Sequence, residues 1–230
     1  VTAVVVNLLV GCAQIEPTDG VTRPEIKEGE SWTYAVVTVN VRESPQKRRE
    51  FSVTRKVEKV TDTEIWVREG SAAYGAREVQ IKFDKQWNRI EGPSRDDGSV
   101  VRFDPHLPTF AFPLAPNQSW TRNFIAVKVD SQEFGQHGQS QGKVLGWEEV
   151  SVPAGHFKAL RIETLTPCHT DQRKRNVFVD PKLRGGAQEQ YWYVPELKNF
   201  VKRTRRDYVA GEQTGSSEME LIGYRLEDRK

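Results

Sequence analysis

The sequence predicts a mostly β fold: a single curved, strongly twisted antiparallel sheet, open like half of a barrel, with little helix. Three observations predict it. From residue 29 onward, β-branched and aromatic residues alternate with charged ones at the two-residue period of a half-buried strand. Turn residues interrupt these runs at short intervals. Helical periodicity is scarce, and its best stretch, Asp180 to Ala187, contains Pro181, Gly185 and Gly186.

The expected strands follow in order. Ser31 to Val41, Phe51 to Val60, Glu64 to Arg68 and Glu78 to Phe83 make up the first half. Ser119 to Val129, Lys143 to Val152, Phe157 to Leu165, Gln190 to Val194, Phe200 to Arg206 and Glu218 to Leu226 make up the second. Gly29-Glu30-Ser31-Trp32-Thr33 echoes Asn117-Gln118-Ser119-Trp120-Thr121, so residues 29–92 and 117–206 read as two similar halves of one sheet. Between them, Gly92 to Gln118 is rich in proline and carries Phe103, Phe110 and Phe112. Such aromatics are poorly placed in water, so this segment is expected to lie across the sheet's open face. Pro167 to Gln188 reads as a polar, basic loop.

Composition excludes several classes of function. With 34 Lys and Arg against 32 Asp and Glu, the net charge of +2 is not that of a nucleic-acid binder, and no such partner is expected. Two cysteines exclude a disulfide scaffold and a four-cysteine zinc site, and four histidines leave little for a metal cluster, so no metal or cofactor is expected. No Gly-x-Ser-x-Gly, P-loop or HExxH motif is present. His106 has no histidine near it in sequence, and His156 reads as a solvated turn residue. Asp96-Asp97-Gly98-Ser99 reads as a hairpin turn, not a calcium loop. Glu148 and Glu149 point to opposite faces of a strand and cannot act together. Cys168 reads as a small, partly buried apolar residue. No catalytic residue is assigned, and the protein is not expected to be an enzyme.

Residues 1–12, VTAVVVNLLVGC, carry no charge and are too short to span a bilayer. They resemble the end of a secretory signal peptide. Leu9-Val10-Gly11-Cys12 resembles a bacterial lipobox, which implies a signal-peptidase motif at Leu9, Val10 and Gly11 and lipid attachment at Cys12. The missing initial Met and missing basic n-region imply a clipped signal sequence. Residues 13–28, with Pro17, Gly20 and Pro24, read as a flexible tether, and residues 29–230 as the single β domain. Ala13, after the cysteine, is not aspartate. By analogy with proteobacterial lipoproteins, that implies sorting to the outer membrane, facing the periplasm.

Three further motifs carry a wider resemblance: Gly29 with Trp32; Val152-Pro153-Ala154-Gly155-x-Phe157 running on to Ile162; and Trp192-Tyr193-x-Pro195-Glu196 leading to Val201-Lys202-Arg203. With these the chain resembles uncharacterised bacterial envelope lipoproteins related to lipoprotein-carrier half-barrels. The resemblance implies a curved antiparallel sheet and no catalytic residues. His156 stands where threonine is common, and a long basic insertion follows Cys168.

The expected function is that of a non-enzymatic, membrane-tethered periplasmic lipoprotein. It would bind a hydrophobic, lipid-like small molecule in the sheet's concave face, or another envelope protein. The alternative is a filled structural module of an envelope assembly; an unrecognised hydrolase comes last. Lys198 to Arg206, with Lys47-Arg48-Arg49 and Arg173-Lys174-Arg175, reads as exposed strand and loop cations, or as contacts to anionic headgroups. The six tryptophans read mostly as core. The ligand-binding residues stay open at this point.

Overall fold

The computed structural model describes residues 20–71, 78–94, 98–130, 135–170 and 185–227, with residues 135, 136 and 168–170 in backbone only. The strands are β1 (Ser31–Asn40), β2 (Lys47–Val60), β3 (Glu64–Ser71), β4 (Glu78–Asp84), β5 (Arg89–Pro93) and β6 (Val100–Leu107). They continue as β7 (Ser119–Lys128), β8 (Gly135–Val152), β9 (Gly155–Thr170), β10 (Gly185–Val194), β11 (Asn199–Val209) and β12 (Glu212–Arg225). Among the described residues the one helical element is a 3-10 turn, Pro195–Leu197.

The sheet is closed, which corrects the expected open half-barrel. Each strand pairs antiparallel with its neighbours in sequence, and β12 returns to pair with β1 from Ser31↔Arg225 to Asn40↔Gly215. Two things close it. Residues 89–107 supply β5 and β6 instead of crossing an open face, so the barrel has twelve strands. β12 then pairs with both β1 and β11, so every strand has a partner strand on each side.

Side chains alternate between lumen and exterior. On β1 the buried positions are Trp32, Tyr34 and Val36; on β3 they are Ile65, Val67, Glu69 and Ser71. The outer wall is polar, with Arg48, Glu50, Arg68, Lys143 and Arg206 exposed on four strands. A membrane-spanning barrel needs an apolar band about 25 Å tall on that face, and charges interrupt it here.

One end of the barrel is plugged. The connection from β6 to β7 places Phe110, Phe112 and Leu114 in that end, where Phe110 and Phe112 meet the ring of Tyr193 at 5.7 and 5.5 Å. Val21 forms an antiparallel bridge with Leu114, and Ile26 is buried in the core, so the chain from Gly20 to Glu30 packs on the plugged end. Trp32 and Trp87 meet edge to face at 5.7 Å, and their indole N–H groups donate to the carbonyls of Leu197 and Lys198, both at 2.9 Å. The β8–β9 hairpin also reaches this end. Gly155, at φ +142°, supplies its turn, and the Ala154 N–H donates to the Leu221 carbonyl at 3.0 Å.

The β4–β5 turn holds Trp87 in the left-handed region, φ +60°, which costs a bulky residue about 1–2 kcal/mol. Buried Asn88 fixes it. Its Oδ1 accepts from the N–H groups of Thr109 and Phe110 at 2.8 and 2.9 Å, tying this turn to the plug. Asn88→Ala leaves both amides short of an acceptor, and we expect a loss of about 2 kcal/mol, measured by urea denaturation. An unchanged midpoint would show that the plug holds without this side chain.

The two echoing turns share one geometry. Gly29 and Asn117 both take positive φ, +90° and +67°. Gly29 N–H donates to Val57 and Val57 N–H to Glu30; Asn117 N–H donates to Val144 and Val144 N–H to Gln118, all at 2.9 Å. The Glu30 and Gln118 side chains accept from the amides of Lys27 and Ala115 at 3.1 and 3.0 Å. The turns open β1 and β7, six strands apart around the barrel.

Candidate functional site

A cavity of about 760 Å³ lies inside the barrel, lined by residues of β1–β6 and β10–β12 and of the loops beside β5 and β6. Its floor is formed by Trp32, Trp87 and Phe110 of the plugged end. It extends along the strands to Thr38, Arg49, Ser94 and Gly98 near the other end, where Arg49 is exposed. The side walls are apolar at Val36, Val53, Val67 and Ile81.

The cavity is off-centre because the two echoing halves fill their lumens differently. Trp32 pairs with Arg55 on the neighbouring strand, and Trp120 pairs with Gly142 in the same relation. Both partners stand two residues before the valine that bonds to the turn. In the β7–β8 quarter the Trp120 and Phe124 rings lie flat over Gly142 and Gly138 and fill the lumen. A Cβ at either glycine would fall 2.1 or 2.2 Å from the ring that covers it. In the β1–β2 quarter Arg55 projects instead.

Four guanidiniums and three carboxylates meet in the wall. Arg55 donates to Glu69 at 2.7 Å. Arg203 holds Glu189 through two nitrogens at 2.7 and 3.0 Å. Arg205 lies 3.4 Å from the same Glu189 oxygen and 2.5 Å from Asp207. The pairs rest on aromatic faces: the Arg55 guanidinium lies 6.0 Å from the Tyr34 ring and 5.8 Å from Phe200, and that of Arg203 lies 5.8 Å from Tyr191.

Arg89 is the fourth guanidinium. It lies over Phe103 at 5.4 Å, donates from Nη2 to the Pro93 carbonyl at 2.5 Å, and forms no ion pair among the described residues. Its buried Nε–H has no acceptor.

The electrostatics follow. Burial acts to raise the Glu69 carboxyl, but Arg55, then Arg203 and Arg89, outweigh it and hold the group below its ordinary range. Burial pushes the Arg89 guanidinium down to about 10; Glu69 opposes this, while Arg55, Arg203 and Arg205 add to it. Burial raises the Tyr34 and Tyr191 hydroxyls, which stay neutral donors. The Tyr34 hydroxyl donates to the Phe200 carbonyl at 3.0 Å.

Of the residues singled out from sequence, Trp32, Trp87, Arg49, Arg203 and Arg205 line the cavity. Leu9, Val10, Gly11 and Cys12 fall outside the described residues, as do Asp96, Asp97 and Arg173-Lys174-Arg175. Cys168 is described in backbone only, on β9. His156 is exposed and hydrogen-bonds Ser151 at 2.7 Å. His106 lies 3.1 Å from Asp84 on the surface, and the other Asp84 oxygen caps the amides of Gln86 and Asn88. Among the described residues no three His, Cys, Asp or Glu side chains converge as a metal site.

The basic run Lys198 to Arg206 is not one exposed patch. Arg203 and Arg205 point into the lumen; Lys202 points out, to Glu218 and Glu220 at 2.6 and 2.7 Å; Lys198 pairs with fully buried Glu30. The two-residue period separates the inward from the outward members of such a run. The same signal marks Arg55, in line with Phe51, Val53 and Val57, and Glu69, in line with Ile65 and Val67.

No family model matches the chain, and no curated protein matches it. The chain is similar to three solved bacterial structures. One, from Bacteroides fragilis NCTC 9343, is described as a candidate exported protein with a YmcC-like fold; it is 14% identical, with 90% of this chain and 100% of that one covered and a TM-score of 0.46. A candidate lipoprotein from Parabacteroides distasonis ATCC 8503 is 9% identical, with 90% and 100% covered and a TM-score of 0.49. The hypothetical lipoprotein YmcC of Escherichia coli K12 is 10% identical, with 84% of each chain covered and a TM-score of 0.46.

Proposed function

We propose that this chain is a non-enzymatic lipoprotein of the bacterial envelope, held to the membrane by an acylated Cys12, that binds a small amphipathic ligand inside its barrel. The cavity carries the reading. At about 760 Å³ it falls within the range of small-molecule sites, with apolar walls and a few converging polar groups. A purely structural module would fill that space.

The path of the chain gives the anchored barrel a direction. Cys12 lies eight residues before Gly20, a reach of about 28 Å at full extension. From Gly20 the chain packs on the plugged end. A lipid on Cys12 therefore holds the plugged end toward the bilayer and turns the end with Arg49 away from it. The ligand enters from the aqueous side, and Ala13 favours the outer membrane as the site of anchoring.

Two measurements test this. Cys12→Ser, in the chain with a complete signal peptide, is expected to move the protein from the membrane pellet to the soluble fraction; retention in the pellet overturns the anchor. Native mass spectrometry of purified protein is expected to show a bound species, or uptake of 8-anilinonaphthalene-1-sulfonate at one site. Neither being seen overturns the ligand reading.

A further inference from the structure

We propose that the cavity is an anion site in which the Arg89 guanidinium receives one carboxylate or phosphate group of the ligand. This deepens the reading of the cavity as a ligand site and rests on it.

The charge balance points to a single negative group. Among the four guanidiniums of the wall, Arg55, Arg203 and Arg205 each have a carboxylate partner, in Glu69, Glu189 and Asp207. Arg89 has none among the described residues. Largely buried and beside three other guanidiniums, it is the surplus cation of the cluster. An unmatched buried cation is costly, and a positioned anion removes that cost.

The local packing leaves Arg89 room. A Cβ at residue 92 would fall 2.8 Å from Nη2 and 3.0 Å from Nε of Arg89, so the glycine lets the guanidinium settle against the backbone there. Phe103 supports the side chain through its ring, and the Pro93 carbonyl takes one Nη2 proton. The other hydrogens on Nη1 and Nη2 are the donors that suit a carboxylate or a phosphate. The valine and isoleucine walls take the neutral body of the ligand.

An anionic group on a neutral body describes both a lipid-type phosphate and a sugar acid. Octyl phosphate and glucuronate represent these two sources, and octyl glucoside is the uncharged control. Calorimetric titration and thermal shift are run on the full domain and on its Arg89→Gln and Arg89→Lys variants. At least one anion is expected to bind the wild type, to lose about 10- to 100-fold in Arg89→Gln, and to lose less in Arg89→Lys, which keeps the charge. Octyl phosphate as the binder identifies the lipid-type source, and glucuronate the sugar-acid source. Ligand-free Arg89→Gln is expected to melt no lower than wild type, since it relieves a surplus cation; lost binding then reports the site and not a folding defect. Should Arg89→Gln unfold, the weaker binding of Arg89→Lys remains the readout, and unchanged binding in Arg89→Lys and Arg89→Gln overturns the proposal. Octyl glucoside binding as well as octyl phosphate overturns the anion while leaving the cavity a ligand site. Binding of no probe, with no co-purifying species, overturns both.

Discussion

Glu69→Gln is expected to destabilise the barrel by about 3–5 kcal/mol, the usual cost of removing one partner of a buried ion pair. Glu69 is 7% exposed, and its carboxylate holds Arg55 at 2.7 Å. Neutralising it leaves four wall guanidiniums with two carboxylates. The groups facing it are Arg55 from β2, Arg89 from β5 and Arg203 from β11. The pH dependence has a definite sign. The folded carboxyl titrates below its ordinary value of 4.5, so the folded state binds fewer protons than the unfolded chain in that window. The stabilisation is complete above about pH 4.5 and is lost as pH falls through the lower folded value. Urea denaturation at pH 7 and at pH 3 measures this. The gap between wild type and Glu69→Gln is expected to narrow in acid; a gap independent of pH would show that the glutamate acts through shape alone. Glu69→Gln with Arg89→Gln is expected to recover part of the loss, because the second change removes one surplus cation. Additive losses in the double variant would mean that the two residues do not share a field.

The strands were largely legible because most of them bury one face. Alternation in Ser31 to Val41 and Phe51 to Val60 marks β1 and β2, and strands form there. β5 and β6 were not legible. β5 is five residues long and contains Gly92 and Pro93, and β6 contains Pro105. Proline and glycine in so short a run read as loop, so two strands were missing from the expected sheet and nothing required it to close. Closure is a property of strand number and tilt, which no single strand reports. The cavity was legible only in part. Arg55 and Glu69 each occupy an inward position of a clearly alternating strand, and that pattern is visible in sequence. Arg89 follows a turn and precedes a glycine, so no alternation assigns its face. That Arg203 meets Glu189 rather than solvent depends on the register of β10 against β11, which pairs Tyr191 with Arg203 and Glu189 with Arg205.

Gly142→Ala is expected to cost about 3 kcal/mol, more than its single added methyl group suggests. Alanine ordinarily suits a strand better than glycine does. Here the Cβ would fall 2.1 Å from Cε2 and Cζ2 of Trp120, a ring that is 9% exposed. The ring cannot stay over the backbone, and overpacking of this kind typically costs 1–3 kcal/mol or somewhat more. The corresponding position on β2 shows where the ring would have to go. Arg55 occupies it, and Trp32 there turns toward Trp87 and the Leu197 carbonyl at the plugged end. For Trp120 no such acceptor is in place, and its indole N–H is already without one. The variant is therefore expected to lose stability. Gly223→Ala is the control: a Cβ there meets nothing within 4 Å, and a change within about 0.5 kcal/mol is expected. Urea melts followed by tryptophan fluorescence compare the two. If Gly142→Ala melts with the control, Trp120 has another resting place in the lumen, and the β7–β8 quarter is not held shut by its glycines.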